Sequence, residues 1–221
     1  MSVKIHNSIV DNYILVKNNI KSLSDKVTLI VVSKTFSQEH INPILNLEHK
    51  HFGENRVQEA FVKWRRLIDH DNKIKLHMLG KVQSNKVSDV VSLFSYVHSL
   101  DNIKLADKFS SEEIKAKKKL NYFIQINIGN EKHKTGVAID EATKFIDYCR
   151  SKLKLNVIGV MCLPPFGIDP LIFFIKLHEI AKENFLKELS MGMSHDYLLA
   201  IKNGATYVRV GSAIFGERSR H

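Results

Sequence analysis

The chain has 221 residues, 44% hydrophobic and 25% charged, which excludes a disordered or fibrous protein and suffices for one sizeable core, so a single domain is expected over 1–221. The longest apolar run in a helix candidate, Leu171 to Ile175, is too short to span a bilayer. The net charge of +10 is spread along the chain, with its densest run at 115–119, and is read as a solvated surface rather than a nucleic-acid site.

In chain order, an amphipathic helix is predicted at 3–22. The polar residues from Met1 to Asp11 leave no apolar centre for a secretory signal, so none is expected. Short β-branched runs follow at 28–33, 75–79, 96–98, 122–126, 156–161 and 207–210, with weaker strand candidates at 51–52 and 189–191. Between them, 3.6-residue periodicity predicts helices at 57–68, 85–93, 103–116, 141–153, 170–189 and 195–203. Such alternation implies parallel strands with helices outside, and eight units in this length fit an α/β fold of the (β/α)8 TIM-barrel type with an extra N-terminal helix; an open doubly wound sheet is the alternative. Cys149 and Cys162 lack CxxC spacing, so neither a disulfide scaffold nor a zinc site is expected, and a reducing cytoplasm fits.

A barrel demands functional groups just after its strands. Lys34 follows the buried run Leu29-Ile30-Val31-Val32-Ser33. There it is either a desolvated amine able to attack a carbonyl or a snorkelling lysine at a strand end. Ser190-Met191-Gly192-Met193-Ser194 opens the helix at 195–203, with Ser194 read as its N-cap and the N–H groups of Met193 and Ser194 as a nest for phosphate; a plain capped helix is the alternative. In Arg209-Val210-Gly211-Ser212, Gly211 is read as letting backbone approach a ligand, with its N–H and that of Ser212 forming a second nest, while Arg209 alternates with Val208 and Val210 to face the interior. Glu54 and Asn55, after Phe52-Gly53, are candidates to orient a ring or amine. His77 and His98 lie within strands and are read as satisfied core histidines, and Glu48, His49 and His51 have no metal-ligand spacing.

These motifs together resemble the pyridoxal phosphate homeostasis protein family, related to the N-terminal barrel of alanine racemase. The resemblance rests on Val32-Ser33-Lys34, Phe52 to Asn55 with Gln58-Glu59, His77 to Lys86, and Val97 to Asp101. It continues through Gln125-Ile126-Asn127 with Glu131 and Lys134-Thr135-Gly136, then Gly159-Val160-Met161, Leu189 to Asp196 and Arg209 to Gly216. It implies a barrel holding pyridoxal 5′-phosphate (PLP) as a Schiff base on Lys34, with Arg209 facing the pyridine nitrogen, Asn55 beside the ring, and Ser194, Gly211 and Ser212 around the phosphate. Two departures stand out: Leu76 replaces a usual tryptophan, and the segment between Pro165 and Leu189 looks shortened. A cationic Arg209 would leave the pyridine nitrogen unprotonated, and a racemase would need an opposing base from a second domain, which the chain is expected to lack. The resemblance therefore implies PLP supply and release without turnover, as a monomer whose partners are PLP and apo PLP-dependent enzymes, with no nucleic acid and no membrane; a low-activity racemase or decarboxylase is the alternative.

Overall fold

In the computed structural model, the described residues run from Ser2 to Gly216, with side chains described from Asn7 onward. Eight parallel strands close a barrel in sequence order: β1 (Thr28–Val32), β2 (His51–Glu54), β3 (Lys75–Met78), β4 (Tyr96–Leu100), β5 (Asn121–Ile126), β6 (Asn156–Cys162), β7 (Glu188–Met193) and β8 (Tyr207–Val210). Closure is made by β8 on β1, with Ile30 opposite Arg209 and Val31 opposite Val210. Because neighbours in register face the same way, Ile30 and Arg209 share the barrel interior. The helices α1 (Ser2–Leu23), α2 (Gln38–Leu45), α3 (Val57–His70), α4 (Val87–Leu93), α5 (Ile103–Ala116), α6 (Ala142–Asp147), α7 (Leu171–Glu183), α8 (Tyr197–Lys202) and α9 (Ser212–Phe215) complete the chain, and no described helix is long and apolar enough to cross a membrane.

The main core lies between barrel and helices, where Phe52, Trp64, Phe109, Tyr122 and Phe174 are fully buried. Burying side chains of this size dominates the stability of such a layer. On α1, Ile9, Tyr13, Val16 and Ile20 form the buried stripe that its helical period predicts. Asn12 of α1 donates to the Ile214 carbonyl (3.1 Å), and Asn19 donates to the Tyr197 hydroxyl (3.2 Å). The extra helix therefore steadies the two short helices that follow β7 and β8.

The structure departs from the sequence expectations at element boundaries. Helix α2 had no counterpart among the predicted elements; it is short and carries Pro43. The helix expected at 170–189 stops at Glu183, and the chain turns through Phe185 at φ +55° before β7 begins at Glu188. The helix expected at 141–153 is interrupted by a π turn at Tyr148–Lys152. The helix expected from His195 begins at Tyr197 with Asp196 in the cap position, so Ser194 is not its N-cap.

Candidate functional site

The strand ends open into a cavity of about 530 Å³. All seven candidate residues line it: Lys34, Asn55, Met193, Ser194, Arg209, Gly211 and Ser212. Val32, Leu79, Ile126, Met161 and Leu163 supply apolar walls, and Gln125, Asn127, Lys134, Thr135 and His195 add polar groups that the sequence reading did not single out as site residues. The cavity therefore combines apolar walls with a lysine, a buried arginine and several polar side chains, a composition suited to a small-molecule site.

Lys34 sits in the turn directly after β1, and that turn is clamped from α3. Thr35 adopts φ +68°, an unusual conformation for a β-branched residue, and its N–H donates to Glu59 Oε1 (2.5 Å). Lys63, four residues on along α3, donates to Glu59 Oε1 (3.0 Å), to the Ser33 carbonyl (2.9 Å) and to Glu54 Oε1 (2.9 Å). Glu54 is fully buried, and its Oε1 also takes the Ser33 hydroxyl (2.8 Å) and the Trp64 indole N–H (2.9 Å). Glu54 thus anchors the lysine-bearing turn and does not line the cavity; its expected role of orienting a ring or amine is replaced by this one. Glu59, Lys63 and Trp64 were not visible as site-supporting residues because a Glu–Lys pair four apart on a helix reads as an exposed surface pair.

Arg209 is buried on the cavity floor. It donates to Ser190 Oγ (2.8 Å) and to the Cys162 carbonyl (3.0 Å), and among the described residues no carboxylate lies within ion-pair distance of it. Burial pulls its guanidinium below the ordinary value, yet an arginine remains a cation in such a setting. The floor is therefore a positive, acceptor-seeking surface.

The two expected backbone nests differ from the sequence reading. The Met193 N–H is taken by Asp196 Oδ1 (2.6 Å), so it is not available to a ligand. The N–H groups of Gly211 and Ala213 converge on Ser194 Oγ, each at 3.2 Å. An oxygen is thus already held where the start of α9 points its donors. With both lone pairs of Ser194 Oγ engaged, its O–H is the group left to turn toward the cavity that it lines. A Cβ on Gly211 would meet the Val32 carbonyl at 3.1 Å, so the missing side chain serves the close approach of the β8 end to the β1 end at the cavity that Gly211 lines. Lys134, the other lysine at the cavity, is tied to Glu131 Oε2 at 2.6 Å.

The alanine racemase N-terminal domain family is matched over residues 10–219. The pyridoxal phosphate homeostasis protein of Aquifex aeolicus is 37% identical over 199 residues, 86% of each chain. Among solved structures, PipY of Synechococcus elongatus without PLP aligns at 30% identity with a TM-score of 0.87, covering 94% of this chain and all of PipY. The same protein with PLP bound aligns at 28% identity with a TM-score of 0.83 over the same shares.

Proposed function

The chain belongs to the pyridoxal phosphate homeostasis proteins of the alanine racemase N-terminal domain family, and from that we propose that its cavity binds PLP, covalently through Lys34, in the service of PLP supply and release. The observation that carries this reading is the convergence, in one cavity, of Lys34, an arginine without a carboxylate partner, and donors gathered around Ser194. When bound, PLP supplies an aldehyde that reacts reversibly with amines.

The residues present fit that group. Lys34 Nζ is the amine for the aldehyde, on a turn held by Glu54, Glu59 and Lys63. Arg209 offers donors to a ring nitrogen, which accepts them only when unprotonated. Ser194, through its hydroxyl, and Ser212, at the first turn of α9, line the cavity and would take the phosphate; Asn55, Met161 and Leu163, which also line it, would border the ring. Gly211 contributes by letting β8 and β1 close, and Met193 contributes side-chain lining rather than an open N–H.

A cation at the ring nitrogen disfavours the protonated pyridine that makes a strong electron sink, so transamination is not expected and racemisation is the turnover left to test. PLP would pass to apo PLP-dependent enzymes, in a cytoplasmic setting consistent with two buried, unpaired cysteines. Borohydride reduction of protein incubated with PLP, followed by peptide mass spectrometry, tests the reading. The adduct is expected on Lys34 and absent from Lys34→Ala; an adduct confined to Lys134 would refute the assignment. Racemisation of alanine at about 1 per second or faster, followed by circular dichroism, would overturn the carrier role.

A further inference from the structure

A buried guanidinium without a carboxylate needs another source of compensation, since an unpaired buried charge is costly. The barrel interior contains one. Arg209 Nη1 meets Ser190 Oγ at 2.8 Å, Ser190 Oγ meets His98 Nδ1 at 2.8 Å, His98 Nε2 meets His77 Nδ1 at 2.9 Å, and His77 Nε2 meets His51 Nδ1 at 3.0 Å. Ser190, His98 and His77 are fully buried, while His51, the first residue of β2, is part-exposed at the far end of the barrel. The line therefore runs from the cavity floor to the opposite mouth.

Its direction is fixed by the arginine. A guanidinium only donates, so Ser190 Oγ accepts from Arg209. The Ser190 hydroxyl has one proton, and its remaining neighbour at hydrogen-bond distance among the described residues is His98 Nδ1. His98 must then accept at Nδ1 and carry its proton on Nε2, which donates to His77 Nδ1. The same logic places the His77 proton on Nε2, donating to His51 Nδ1. Reversing the line would leave the buried Ser190 hydroxyl proton without an acceptor, which is unfavourable. The rings are packed against neutral partners: His77 stacks on Tyr96 (4.2 Å between centroids), His98 stacks on Phe123 (4.2 Å), and Tyr207 borders both. Burial, and then Lys75, disfavours a charged imidazolium at His51, while burial, with His98, His51 and His49 nearby, does so at His77.

We propose that Ser190, His98, His77 and His51 are positioning residues, a one-way chain of neutral Nε2–H imidazoles whose aligned dipoles stand in for a carboxylate beneath Arg209. Every acceptor end in this arrangement points toward the guanidinium. A carboxylate would neutralise the floor and compete for its donors; a dipole chain fixes the guanidinium and leaves its charge directed at the ligand. The part of the inference that concerns the cofactor rests on Arg209 facing the PLP ring nitrogen.

Two measurements test it. In protein without PLP, labelled with 15N-histidine, long-range 1H–15N correlation spectra should show the Nε2–H tautomer at His98 and His77; an Nδ1–H tautomer at either ring overturns the chain. In Ser190→Ala, which removes the hydroxyl that sets the direction, those signals should become a tautomer mixture. The same variant should bind PLP about tenfold more weakly, the effect of one hydrogen bond to a charged group, yet bind the 1-deaza analogue of PLP, with CH in place of the ring nitrogen, as wild type does. Equal losses for both ligands would make Ser190 merely structural and overturn the positioning role. Wild type binding both ligands equally would instead refute the placement of Arg209 at the ring nitrogen, while the apo-protein spectra decide the chain independently.

Discussion

Lys63→Met separates support of the site from contact with the ligand. Lys63 does not line the cavity, yet its ammonium reaches three acceptors at 2.9–3.0 Å with its side chain only 7% exposed. Removing it leaves the fully buried Glu54 carboxylate without a cation and takes a donor from the Ser33 carbonyl and from Glu59. Breaking one half of a buried ion pair costs about 3–5 kcal/mol. With a urea m-value near 3 kcal/mol/M, the upper end for small proteins, the unfolding midpoint should fall by about 1–1.7 M. Trp64, the sole tryptophan, donates to the same carboxylate oxygen, so its fluorescence reports the transition from inside the clamp. The companion variant Glu54→Gln/Lys63→Met removes both charges while keeping acceptors for Ser33 and Trp64. It should unfold at a higher urea concentration than Lys63→Met alone, because the penalty comes from the stranded charge rather than from the missing methylene packing. PLP capture by Lys34 should weaken in Lys63→Met, as the turn that presents Lys34 loses its tether. If Lys63→Met unfolded within about 0.3 M of wild type, an interval that corresponds to roughly 1 kcal/mol, and bound PLP normally, the clamp would carry no energy and the reasoning would fail.

Ser194→Ala should weaken PLP by about tenfold through the loss of a hydroxyl donor to a charged phosphate, with little effect on pyridoxal, which lacks the phosphate; equal losses in a fluorescence titration would place the phosphate elsewhere. Stability should plateau between about pH 6.5 and 8.5, the ordinary values for histidine and cysteine. On the acid side, burial lowers His49 to about 4 and holds His77 and His98 well down, so the unfolded chain binds protons that the fold refuses, and stability is lost as pH falls below about 6.5. On the alkaline side, burial pushes Cys149 and Cys162 up to about 12, so the unfolded chain releases protons that the fold keeps, and stability is lost as pH rises above about 8.5. Urea midpoints measured across pH check both limbs; a midpoint still climbing below pH 5 would contradict the buried neutral histidines.

The barrel was legible because its strands are short β-branched runs and its helices carry a 3.6-residue stripe, two signals that local sequence states directly. Boundaries failed where the chain turns without the usual punctuation. The stretch Asn184-Phe185-Leu186-Lys187 contains neither glycine nor proline, and the turn is made by Phe185 in the left-handed region. Helix α2 was lost for the opposite reason: Pro43 argues against a helix, and only Ile41 and Ile44 are buried to give it a face. Lys34, Arg209 and Ser194 stood out in the sequence because each lies at or just after the end of a strand, where a barrel places its chemistry, and all three line the cavity. Their bonding was not found. Ser194 looks like a cap because a small polar residue precedes a helix, whereas its oxygen reaches across to donors on the next strand-to-helix turn.

The histidine line shows why some of a site cannot be read along a chain. His51, His77, His98, Ser190 and Arg209 come from β2, β3, β4, β7 and β8, and no two of them are closer in sequence than 19 residues. Each is unremarkable in its own strand: an inward position in a period of two, occupied by a residue able to hydrogen-bond. His98 and Ser190 are 92 residues apart and lie on strands that do not pair, so only closure of the barrel brings them to 2.8 Å. Closure is also what makes the arrangement necessary. Once Arg209 is enclosed, every polar neighbour must take up a definite donor or acceptor role, and a single unmatched proton inside the barrel is costly. The interior can therefore be polar only if it is ordered, and an ordered polar interior is what holds a charged floor rigid beneath a ligand.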